Sequence, residues 1–190
     1  MAAKTFYEEL ETLKAYRETR LRLAEKVIRQ PDLFPELLLI CYQFHNEVSS
    51  RACWILEFVM LKNPTLLIPY LDEFTENLKG FSRESSIRPV AKTCQLLTKH
   101  YFAKKDTPLK NAINDLHLER ITEACFDWLI SDVKVAPKAY SIYTLHLLGK
   151  KFAWIHPELV SVLKLQIPKQ SPGFKAAAIK TLEKLHKEKE

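Results

Sequence analysis

A motif that returns after 37 residues restricts the folds open to this chain more than its size does. Basic residues stand ahead of small and then apolar positions in Arg51-Ala52-Cys53-Trp54-Ile55-Leu56 and in Arg88-Pro89-Val90-Ala91-Lys92-Thr93-Cys94. The order returns in Lys138-Ala139-Tyr140-Ser141-Ile142 and in Lys175-Ala176-Ala177-Ala178-Ile179. Arg51 and Arg88 are 37 residues apart, as are Lys138 and Lys175, whereas Arg88 and Lys138 are 50 apart, which places about 13 extra residues in the middle. The polar stretch Lys104-Lys105-Asp106-Thr107-Pro108-Leu109-Lys110-Asn111 is the evident insertion. A period of this length marks a row of like helical units, each completing the core of its neighbour.

A second element alternates with the first. Pro31-Asp32-Leu33-Phe34-Pro35-Glu36-Leu37-Leu38 is similar to Pro64-Thr65-Leu66-Leu67-Ile68-Pro69-Tyr70-Leu71 and to Pro157-Glu158-Leu159-Val160-Ser161-Val162-Leu163. Proline in a first helical turn sacrifices no hydrogen bond and presets the backbone angle. The third copy, Glu119 to Ile130, lacks the proline but keeps helical spacing at Ile121, Ala124, Cys125, Trp128 and Leu129. The unit is therefore helix A, a short turn and helix B. Helix B is apolar nearly all round, as in Ala52 to Met60, and so needs cover on several sides. Glycine occurs only at 80, 149 and 173, too few for a β-rich fold or a phosphate-cradling loop. The reading is an all-α single domain over 1–190. Residues 1–30 form a capping helix or helix pair, 31–102 the first two repeats, 103–117 an inserted loop and 118–190 the last two repeats.

Ile87-Arg88-Pro89-Val90-Ala91 resembles the second helix of HEAT repeats, and the resemblance extends over roughly residues 30–188. It implies an α-α superhelix, a right-handed α-solenoid of about four HEAT-like helical hairpins. In such proteins the basic residue bonds to acidic or polar groups in the turns. Glu47 and Glu84 each stand four residues ahead of a basic position, while the third and fourth copies have Lys134 and Ser171 there.

Equivalent positions in stacked repeats project alike, so Arg51, Arg88, Lys92, Lys138 and Lys175 are candidates for a partner-binding row. Charge is uneven. Residues 31–78 hold two basic and seven acidic side chains, and residues 79–110 hold eight basic and two acidic. Two functions follow. The first is a non-enzymatic scaffold that binds a protein partner on its concave surface. The alternative is a nucleic-acid-binding solenoid, implied by resemblance to HEAT-like DNA alkylation-repair proteins. No nucleophile elbow or protease signature is present, so no catalytic residue and no cofactor is expected. His146, inside Leu145-His146-Leu147-Leu148, reads as a core or boundary histidine. Cys41-x-x-x-His45 is half a zinc site with nothing to complete it, so no metal is expected. Trp54, Trp128, Tyr140, Tyr143 and Trp154 read as fillers between helices. Cys41, Cys53, Cys94 and Cys125 read as buried thiols, and the absence of a long apolar run argues for a cytoplasmic chain off the membrane.

Overall fold

The computed structural model describes residues 4–188, and every regular element among them is helical. The N-terminal part carries two helices, α1 (Phe6–Glu11) and α2 (Arg17–Arg29). Thr5 and Glu8 close a capping box at the start of α1, each satisfying a backbone N–H of the other. The helices α3 (Leu33–Cys41) and α4 (Glu47–Lys62) follow. Asn46 caps α4 by accepting from the Val48 N–H at 3.0 Å.

The second A element departs from the sequence expectation. Instead of one helix from Pro64, the chain forms 3-10 turns over Pro64–Tyr70, then α5 (Leu71–Glu76), then 3-10 turns over Asn77–Gly80. Pro69 has no N–H to give to the Thr65 carbonyl four residues back, which removes one α-helical bond from this stretch. Next come α6 (Glu84–Tyr101), α7 (Pro108–Ala112), α8 (Asp115–Ile130), α9 (Val135–Leu148), α10 (Ile155–Gln166) and α11 (Pro172–Lys187).

Segment 103–117, expected as an inserted loop, contains α7 and the first turn of α8. Thr107 caps α7 with Pro108 at its first position, and Leu109 and Ile113 are buried. Helix α7 packs against both α6 and the 3-10 stretch Pro64–Tyr70.

The B helices pack in chain order, α2 on α4, α4 on α6, α6 on α9 and α9 on α11. Further contacts join α3 to α4, α8 to α9 and α10 to α9, while the stretch Pro64–Glu76 packs on α4 and α8. One continuous apolar core runs between, from Phe6 and Leu10 through Leu56, Phe74, Leu97 and Leu129 to Phe174 and Leu185. All four cysteines lie in it as free thiols. Burial pushes the Cys125 thiol up to about 12 and moves Cys41 and Cys94 upward as well.

Polar bonds between successive B helices supplement this core. Ser50 and Ser86 share a buried hydroxyl bond at 2.8 Å, and Ser85 donates to Ser50 at 2.7 Å. Pro89 cannot donate to the carbonyl four residues back, which is that of Ser85. The indole N–H of Trp54 on α4 takes that carbonyl at 3.1 Å. The proline that weakens α6 internally thus gives it a bond to α4.

The glutamates ahead of the basic positions also bond between helices. Glu47 on α4 meets Arg83, just ahead of α6, at 3.8 Å and Arg51 on its own helix at 4.0 Å. Glu84 meets Lys134 at 3.5 Å. No single helix among the described residues is long and apolar enough to cross a membrane.

Leu56 is fully buried on α4, so Leu56→Ala should lower the unfolding free energy by about 2–5 kcal/mol in urea titration. Leu165 is 71% exposed, and Leu165→Ala should stay within about 0.5 kcal/mol of the parent.

Candidate basic groove

Two adjoining depressions lie along the row of B helices, and neither draws a residue from α3, α5, α8 or α10. The smaller, of about 520 Å3, is bounded by Arg20, Trp54, Arg88 and the N-terminal ends of α6 and α9. The larger, of about 790 Å3, runs between the second halves of α6, α9 and α11. Arg88 and Lys92 are one turn apart on α6 and place one cation in each.

Charge in the smaller depression is largely compensated. Glu57, 7% exposed on α4, accepts both ends of the Arg88 guanidinium, at 2.6 and 3.3 Å. This paired fork keeps a nearly buried carboxylate satisfied. Arg20 lies over the Trp54 ring at 4.6 Å. Desolvation, then the nearby Arg88, lower the Arg20 pKa from its usual value. Lys134 and Arg83 already have Glu84 and Glu47.

The larger depression is different. Lys92, Lys99, Lys150, Lys180, Lys184 and Lys187 line it, with Glu188 the one carboxylate. Glu188 is shared by Lys150 and His146, each at 3.3 Å. Among the described residues the other five lysines have no carboxylate within ion-pair distance. Lys92 donates to Gln95 at 2.9 Å and sits over the Tyr140 ring at 4.8 Å. Desolvation, and then the like charge of Lys99, lower its pKa. Tyr140 and Tyr143 are half-buried, with surface turned into the groove.

Of the five residues expected in a binding row, Arg88 and Lys92 line these depressions and the other three line neither. Arg51 donates to the Glu11 carbonyl at the end of α1. Lys138 is 3% exposed, with its ammonium 5.9 Å from the Phe174 ring centre, and burial lowers its pKa. Lys175 is half-buried.

The period of 37 tracks one position per helix and so passes over the residues that repeat within a helix. Lys92 and Lys99, and Lys180, Lys184 and Lys187, recur at intervals of three, four or seven, which keeps them on one helical face. That spacing is the signal that finds the groove. Trp128 is buried as expected of a filler, but Trp154 is 58% exposed. Among the described residues no three His, Cys, Asp or Glu side chains are gathered as metal ligands would be. Comparison with sequence families, curated proteins and solved structures gives no significant match.

His146 gives the groove a pH dependence. Desolvation lowers its pKa below the usual 6.5; Glu188 opposes this, while Lys150, His156 and Lys184 add to it. As pH falls through about 6.5 the unfolded chain binds this proton before the folded one does. The site's contribution to stability is therefore complete above that pH and lost as pH drops through the folded value. Urea midpoints at about pH 7.5 and about pH 5.5 should fall further for the parent than for His146→Gln.

Proposed function

We propose that this chain is an α-solenoid of HEAT-like hairpins whose exposed B-helix face binds nucleic acid through its phosphate backbone. The reading is carried by one observation, five lysines that have no carboxylate partner among the described residues and line a single groove across α6, α9 and α11. Crowded, uncompensated ammonium groups hold counterions, and a polyphosphate that displaces them gains their release. Tyr140 and Tyr143 supply ring surface beside the lysines, as base stacking requires. The in-order packing of α2, α4, α6, α9 and α11 supports a linear array, in which a groove crosses successive helices.

An interaction scaffold for a protein partner is the second reading. It is favoured by large apolar side chains left exposed away from the groove, namely Leu39, Trp154 and Leu165.

Fluorescence anisotropy with labelled duplex and single-stranded DNA, at about 50 mM and about 200 mM salt, separates the two. Nucleic-acid binding predicts a log–log salt slope of about −2 to −5 and roughly tenfold weaker binding for Lys92→Ala/Lys180→Ala/Lys184→Ala. No binding of either probe at the lower salt removes this reading and leaves the scaffold.

A further inference from the structure

A third depression lies outside the groove and shares no lining residue with it. Its volume is about 410 Å3. Helix α8 supplies Glu119, Glu123, Phe126 and Asp127, whose spacing of four, seven and eight keeps them on one face. The link between α9 and α10 supplies Phe152 and Trp154. The Phe126 and Trp154 rings stack with centres 5.8 Å apart and planes 21° from parallel. Trp154 nonetheless keeps more than half of its surface in water.

We infer that this pocket binds the guanidinium of an arginine carried by a partner polypeptide. The chain as a whole has a formal charge of +6, yet the lining holds three carboxylates and no cation. That inversion of local charge repels anions and favours a positive ligand. Flat aromatic faces attract a cation through their quadrupole, and a planar one can also stack. Arginine meets both demands and forks its N–H groups onto a carboxylate, whereas lysine brings a compact point charge.

The chain already contains this pairing elsewhere, where Arg20 stacks over Trp54. Trp154 presents an indole that, among the described residues, has no arginine over it. The local cations are already engaged. Lys79 pairs with Glu123 at 2.7 Å, and Lys151, 5.8 Å from the Phe152 ring centre, pairs with Asp115 at 2.9 Å. Glu119 and Asp127 have no cation within ion-pair distance among the described residues, and they are the carboxylates the ligand would meet.

The test uses the full chain and the peptide acetyl-Gly-Gly-Arg-Gly-Gly-amide, followed by NMR at the indole N–H of Trp154, assigned with Trp154→Phe. Saturable movement of that resonance, with Trp54 unmoved, is the expected result. The citrulline and lysine analogues should each bind at least about fivefold more weakly, because one lacks the charge and the other the planar fork. Glu119→Gln/Asp127→Asn should weaken the arginine peptide about tenfold without moving the thermal midpoint, since both side chains are exposed. A citrulline peptide that binds equally well, an unaffected double variant or an unmoved Trp154 resonance overturns the proposal. Equal binding of the lysine peptide also overturns it, in favour of a site for any point charge. Because the readout is remote from the lysine groove, failure here leaves the nucleic-acid reading standing, and the reverse.

Discussion

The seam between α4 and α6 determines where everything else can go. Helix α4 has apolar residues on nearly every side, and its stability depends on being enclosed by α1, α2, α3 and α6. Serine at 50 and 86 brings the two helices together through hydroxyls, and Pro89 leaves a carbonyl that Trp54 takes up. The Glu57–Arg88 fork closes the same seam toward solvent. These bonds join residues 31 to 36 positions apart, somewhat less than the 37 that separate Arg51 from Arg88. Once α6 is fixed against α4, its other flank receives α9, and α9 in turn receives α11.

The helical character of the chain was legible because apolar periodicity and initiating prolines are local signals. Thr5, Asn46, Thr107, Asn114 and Ser171 all cap helices with their side chains, and their chemistry is visible without coordinates. What misled was proline in its second role. Pro64 starts a helical segment, but the chain over Pro64–Tyr70, with Pro69 inside it, winds as 3-10 turns. The inserted stretch misled for another reason. Its polar composition suggested a loop, yet it buries Leu109, Ile113 and His117.

The groove was legible in part. The row read from the sequence held Arg88 and Lys92, which line the depressions, but also Lys138, whose stem is covered by neighbouring helices. Such a choice treats repeats as identical, whereas α9 has a complete neighbour on each flank and α11 is the last helix of the described chain. The lysines of α11 were missed because they repeat with the helical turn instead of the long period. The acidic pocket was harder to read. It joins one face of α8 to a turn nearly 30 residues later, and no local pattern encodes that meeting.

The position of those α11 lysines has a mechanical side. Helix α11 is held chiefly by α9, with smaller contacts to α10 and to the 3-10 turn Ile167–Lys169. Lys180, Lys184 and Lys187 face Lys92 and Lys99 across the groove, and their mutual repulsion pushes outward on that terminal helix. Dissolved salt relaxes this push by screening it. Ionic strength thus sets how strongly the two sets of lysines resist being held on facing helices.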